Sequence, residues 1–232
     1  FEDPAARLSF EQVRNENFTP YKNPLSLGYK AGYTWARLHI TPAAVTGDDD
    51  KLVILIAPPN TLDEVALFDP DVSLQQPLQP RYTGDRHAIL PGDYHSVSIG
   101  FLIPAGHEAR DLYLRLQTTS MHRLDIGTYI PETARKMELQ QMMGVMLICS
   151  LLVSLLGWTI MVVIRDPEWV MGLFIIRQTI GIGHLFMGMG LARQFFPVGL
   201  GNGVQDTLNS VFIILIVAST NCFELTFLRE FK

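Results

Sequence analysis

The chain has 232 residues, a net charge of −5 and 48% hydrophobic residues. That length suits two structural units, and the mild acidity gives no sign of the basic patch a nucleic-acid surface needs. Both cysteines, Cys149 and Cys222, fall in apolar runs and read as small hydrophobes, so the N-terminal half uses no disulfide.

Ser9-Phe-Glu-Gln12 matches a capping box and predicts a short helical turn. Asn23-Pro24 and Gly28 mark loop. The first clear strand is Tyr33 to Thr41, with Ala36, Leu38 and Ile40 on one face and Trp35, Arg37 and His39 on the other. Thr46 to Lys51 reads as a turn, and its Asp48-Asp49-Asp50 lacks the spacing of a calcium loop. Leu52 to Ala57 is apolar on both faces, as a strand in a sandwich core is. Asp63 to Asp69 is a further strand, and Gln75 to Pro80 reads as a long loop. Gly84-Asp85 and Pro91-Gly92 are turn signals. Tyr94 to Ile103 alternates, with Val97, Ile99 and Phe101 on one face and Tyr94, Ser96 and Ser98 on the other. Asp111 to Thr118 repeats this, turning Leu112, Leu114 and Leu116 inward and Tyr113, Arg115 and Gln117 outward. Leu124 to Ile130 completes the set. Many short strands with turns between them predict an all-β jelly roll or sandwich over residues 1–130.

Three of these strands are expected to share a face carrying Trp35, Arg37, His39, Tyr94, Ser96, Tyr113 and Arg115. Rings stack on apolar sugar faces and a guanidinium offers a planar fork to carboxylates or hydroxyls, so the face suits a carbohydrate or acidic ligand. The same residues would also serve as an ordinary polar sheet face or as dimer packing. His87, His95, His107 and His122 show no metal-ligand spacing, and no catalytic motif or cofactor fingerprint is present.

Past residue 130 the chain changes solvent. Pro131-Glu132 opens a helix expected to run unbroken into the first of three apolar runs, 142–164, 169–191 and 208–228, so residues 131–232 form an α-helical transmembrane bundle. The first run has no charged residue; as a helix it is about 34 Å long, against a hydrocarbon core of about 30 Å. The second carries Arg177, Gln178 and His184 among several glycines, which favour close helix contact, and the third carries Glu224. Arg177 is expected to meet Glu224 or further helices, the alternative being that both snorkel to the headgroups. The glycines between Arg193 and Thr207 mark a flexible connector. Flanking positive charges tie, so charge does not orient the bundle, but three spans put its two ends on opposite sides. The start at Phe1 suggests a mature or trimmed form, and the end at Lys232 a chain that continues.

Asn17-Phe-Thr-Pro20, Leu25-Ser-Leu-Gly28-Tyr29 and Tyr33-Thr-Trp35-Ala-Arg37-Leu-His-Ile40 resemble the start of the type 2 extracellular domain of bacterial seven-transmembrane receptors with diverse intracellular signalling modules. Asp63-Glu-Val-Ala-Leu-Phe68, Thr83-Gly84-Asp85, Leu112-Tyr-Leu-Arg115-Leu and Arg165-Asp166 follow in order. One departure is Pro91-Gly-Asp-Tyr94, where the family often has an arginine. The resemblance implies a periplasmic domain similar to carbohydrate-binding modules, a bacterial inner-membrane location, and a cytoplasmic output such as a diguanylate cyclase or histidine kinase. It carries Trp35 and Arg37 over as pattern residues, and replacing either is expected to abolish the response to a ligand without unfolding the domain. The expected partners are a periplasmic ligand, a carbohydrate or a protein, with the lipid bilayer and a second copy in a homodimer. The rival reading is a membrane-anchored assembly or dimerisation subunit of an enzyme, with no small-molecule ligand.

Overall fold

The computed structural model describes residues 1–41, 51–56, 62–70, 79–84, 87, 94, 98–119, 121–188 and 204–230. It divides into two compact units, Phe1–Lys136 and Met137–Lys232. The expected Asp48-Asp49-Asp50 turn, most of the Gln75 to Pro80 loop, the Pro91-Gly92 turn, Ser96 and the glycines after Arg193 lie outside the described residues.

The first unit is a sandwich of antiparallel sheets. Its elements are β1 (Glu2–Asp3), α1 (Phe10–Val13), β2 (Leu25–Ser26), β3 (Tyr33–Ile40), β4 (Lys51–Ile56), β5 (Glu64–Phe68), β6 (Arg81–Thr83), β7 (Ile99–Pro104), β8 (Arg110–Gln117), β9 (Arg123–Leu124) and β10 (Ile126–Tyr129). A five-stranded sheet runs β1-β3-β8-β5-β6, a three-stranded sheet β10-β4-β7, and β2 pairs with β9. The chain changes sheet between β3, β4 and β5, so strands adjacent in sequence face each other across the core.

The alternation read from the sequence is the alternation the core uses. Ala36 and Ile40 of β3, Leu112, Leu114 and Leu116 of β8, and Val65 and Leu67 of β5 point inward from the larger sheet. Leu52, Ile54 and Ile56 of β4 and Ile99, Phe101 and Ile103 of β7 meet them from the smaller one. The other side of β4 is also buried, because Val53 and Leu55 pack with Ala134, Tyr94, Leu102 and Tyr129. That cover explains why β4 is apolar on both faces. One expected strand is shorter than read: β7 begins at Ile99, with Ser98 in a bend before it.

The helical turn expected at Ser9 is α1. Ser9 N–H donates to Gln12 Oε1 at 2.8 Å, and Val13 N–H donates to Ser9 O at 3.0 Å. Downstream, the Asn23 side chain pairs with the start of β10 as a strand would, giving an N–H to Ile126 O at 3.0 Å and accepting Ile126 N–H at 3.1 Å.

The second unit holds the apolar helices. α2 (Pro131–Arg165) is a single uninterrupted helix that begins in the first unit, followed by α3 (Trp169–Gly188) and α4 (Val204–Glu230). All three carry segments long and apolar enough to cross a membrane. α3 and α4 pack as an antiparallel pair, with the rings of Phe174 and Phe223 5.7 Å apart. Gly183 lies against Phe212, where a Cβ would come within 2.7 Å of the ring; at Gly172, Gly181 and Gly188 a Cβ would meet nothing within 4 Å. The close approach expected of the glycines is thus made at Gly183.

Two glycines before β3 separate backbone strain from crowding. Gly32 has φ +94° and sits against the Asp3 carbonyl and the Pro4 backbone, whereas Gly28 has φ +72° and open space around it. Gly28→Ala should cost no more than the ~1–2 kcal/mol of a left-handed backbone. Gly32→Ala should cost more, because β1 must also move; thermal unfolding of the two variants measures the difference.

Candidate functional site

β3 and β8 pair in full register, setting Trp35 opposite Arg115, Arg37 opposite Tyr113 and His39 opposite Asp111. Directly opposed residues share a face, so the β3 and β8 members of the predicted face do come together. β5 and β6 extend it, with Ala66 opposite Arg115, Phe68 opposite Tyr113, and Tyr82 opposite Ala66. The third expected contributor does not join them. β7 belongs to the other sheet, and Tyr94 packs on that sheet's outer side with Leu55 and Tyr129. Period-2 alternation fixes which way a side chain points from its strand but not which sheet the strand enters.

Most of the face is covered. Phe10 and Val13 of α1 lie on it with half-buried Leu8 and Phe18, enclosing Trp35, Ala66, Phe68 and Tyr113. Phe10 stacks on Phe68 at 5.1 Å and meets Tyr113 edge-on at 5.2 Å, and Phe68 lies 5.3 Å from Trp35. Trp35 is left 1% exposed, and among the described residues its indole Nε1 has no hydrogen-bond partner. Trp35 and Tyr113 therefore form a second core, not an open stacking platform. Truncating Trp35 would open a cavity, which corrects the expectation that the domain tolerates its loss.

Arg115 is held within this layer. Its guanidinium lies 4.5 Å from the Tyr33 ring centroid and about 6 Å from Trp35, Phe68 and Tyr82. Glu64 accepts from its Nη2 at 2.9 Å and meets His87 Nε2 at 2.8 Å on its other oxygen. A cation removed from water needs a paired carboxylate, and the rings add cation–π attraction. Arg115 is thus spent on the fold. Glu64 and His87 were not foreseen, since no spacing in the sequence links them to β8.

The accessible part of the site is the rim of β3. A groove of about 710 Å³ runs there, lined by Phe18, Pro20, Tyr21, Ala36, Arg37 and His39 among others. Arg37 is exposed, with its guanidinium 5.0 Å from the Phe18 ring. His39 Nδ1 meets Asp111 Oδ1 at 2.8 Å. Burial raises the Tyr21 phenol above its ordinary 10.0, and the Asp125 carboxylate adds to it. Phe18 and Tyr21 were not singled out as site residues, although Asn17-Phe-Thr-Pro20 was among the stretches carrying the family resemblance. Among the described residues no His, Cys, Asp and Glu group has metal-site geometry.

The polar residues of the membrane helices find other partners than expected. Arg177 Nε donates to Thr220 Oγ1 at 3.1 Å, and its guanidinium lies 5.7 Å from the Phe223 ring. Among the described residues no ion pair joins Arg177 to Glu224. The α3–α4 register puts Thr220 at the Arg177 level and leaves Glu224 one turn further along. Gln178 Nε2 donates to Leu152 O of α2 at 2.8 Å, and His184 Nδ1 is buried with no partner among the described residues.

Phe10→Ala should cost about 3–5 kcal/mol, as core aromatic truncations do, and shift Trp35 fluorescence to the red. Arg37→Ala should stay within about 0.5 kcal/mol of the parent, since its side chain is exposed and rests on the Phe18 ring. Chemical denaturation followed by fluorescence checks both. The Tyr21 phenol is favoured neutral in the fold, so its contribution is present below pH 10.0 and is lost as pH rises through that value toward the folded one. Difference absorbance against Tyr21→Phe should show tyrosinate forming above pH 10.0, and Asp125→Asn should bring it down only part of the way, burial being the larger cause.

A search of curated proteins finds no match for the chain. The profile of one family, described as 7TMR-DISM extracellular 2, matches residues 1–129. That match covers more than half of the sequence and all of the β sandwich, and three candidate membrane helices follow it. The chain therefore belongs to the 7TMR-DISM extracellular 2 family, and is a transmembrane receptor with an outward-facing N-terminal domain.

Proposed function

We propose that the β sandwich is the periplasmic sensing domain of a bacterial inner-membrane receptor, and that the groove along β3 is where it senses. The supporting observation is the groove itself: it is the rim of the aromatic face left open, and it carries Arg37 and His39 beside Phe18 and Tyr21. A guanidinium and rings suit an occupant with carboxylates or hydroxyls, a carbohydrate or an acidic protein segment. Asn17 and Thr19 on the wall add hydrogen-bonding groups.

α2 supplies a route for the signal. Its first turn belongs to the sandwich through Ala134, packed on Val53 and Leu55, and the same helix continues into the first candidate span. A change in how β4 and β10 hold that turn acts on the helix without an intervening linker. With the sandwich outside, the third span delivers the chain to the cytoplasmic side, where a diguanylate cyclase or histidine kinase would read a shift between two bundle arrangements, in a homodimer. Such a shift requires the ligand to bind the two arrangements with different affinity.

In the natural receptor, Arg37→Ala and Arg37→Glu should abolish the cellular response while leaving the melting temperature of the protein unchanged. A full response from both variants rejects the groove as the sensing site. A ligand screen by thermal shift adds the complementary readout, since saturable stabilisation follows from binding to the folded state. Stability that depends on protein concentration, with no ligand found, favours an assembly subunit instead.

A further inference from the structure

β3 is 8 residues long, yet β1, its neighbour on one side, pairs only with Tyr33 and Thr34. Phe1 carries that pairing one residue further: its N–H donates to Trp35 O at 3.0 Å, and Trp35 N–H donates to its carbonyl at 2.8 Å. Backbone groups alternate in direction along a strand. The N–H and C=O that Trp35 turns toward Phe1 are therefore turned the same way at Arg37 and His39. β8 occupies the other side of β3 along its length. Among the described residues, nothing hydrogen-bonds the backbone of Arg37 or His39 on the open side.

That open backbone lies in the groove. Arg37 and His39 line it together with Ala36, and Phe18, Pro20 and Tyr21 line it as well. An unpaired edge in a walled channel is a template for one more strand. The charges of the rim narrow the guest. Among the described residues His39 is paired with Asp111, whereas Arg37 meets the Phe18 ring and no carboxylate. Among the described residues, Arg37 is thus a cation presented at the edge without a carboxylate.

We infer that the β3 edge from Arg37 to His39 binds an extended peptide segment of a partner protein by strand addition, antiparallel as β1 is, with an acidic side chain opposite Arg37. Main-chain bonds to Arg37 and His39 hold the segment, and the Arg37 side chain selects it. A second copy of this chain fits less well, because antiparallel pairing of β3 with itself about Leu38 sets Arg37 against His39 and offers it no free carboxylate. The inference rests on the reading of the groove as the sensing site and narrows its ligand to a peptide.

The probe is an acetylated Thr-Val-Thr-Val-Glu-Val-Thr-Val-Thr peptide, added to the full chain in lipid nanodiscs. The controls are the same peptide with lysine at its centre and one N-methylated on the alternate amides that would face β3. The acidic peptide should bind saturably and slow hydrogen exchange at the Arg37 and His39 amides. Both controls should bind at least about tenfold more weakly, a difference of about 1.4 kcal/mol. Arg37→Glu, at an exposed position, should reverse the preference between the acidic and lysine peptides.

Equal binding of the N-methylated peptide, or no binding of the acidic one, overturns strand addition. So do Arg37 and His39 amides that already exchange slowly before peptide is added, since the edge is then covered by something else. A neutral saccharide producing the same protection overturns it as well. Failure of the peptide with loss of signalling in Arg37→Ala leaves the groove as the sensor of another ligand class. An intact response in Arg37→Ala removes the groove reading itself.

Discussion

The pairing of β3 with β8 is the constraint on which the sandwich depends. It runs from Thr34 opposite Leu116 to Ile40 opposite Arg110 without a bulge. That register sends the leucines of β8 into the space between the sheets and brings Trp35, Arg115, Arg37 and Tyr113 together outside. A slip of one residue would reverse every side chain of β3, placing Arg37 in the core and Ala36 and Leu38 beneath α1. The same pairing satisfies one side of the β3 backbone and leaves the choice of partner on the other side to shorter elements.

The outer surface of the larger sheet is a divided surface. Toward β5 and β6 it is a second core, closed by Phe10 and Val13 and neutralised internally by Arg115 and Glu64. Toward the β3 edge it opens into the groove. The division follows from the reach of the N-terminal segment: α1 is 4 residues long, so its two buried side chains cover only part of the face. Arg37 is the residue of this face that packing leaves exposed at the groove.

At the other end of the sandwich, one helix does two jobs. Ala134 closes the outer side of β4, and the helix that carries it goes on as the first candidate span. The turn that buries Ala134 is therefore part of the sandwich and the start of a candidate span at once. In the helical unit, the Arg177–Thr220 and Gln178–Leu152 hydrogen bonds give polar side chains partners between helices. Such groups have few alternatives in hydrocarbon.

The amino-acid sequence by itself determined the inward faces of β3, β7 and β8, the two apolar faces of β4, the capped turn at Ser9, the helix start at Pro131 and the three membrane runs. These are local properties, set by a period of two, by caps and by hydropathy, and they survive without knowledge of the fold. The family was legible too, through motifs such as Tyr33-Thr-Trp35-Ala-Arg37. Only the tertiary structure decided that Tyr94 lies on the opposite sheet, that Trp35 is buried beneath Phe10, that Arg115 belongs to Glu64, and that Arg177 meets Thr220. Each of these joins residues far apart in the chain, and the period that says which way a side chain points does not say what will be packed over it.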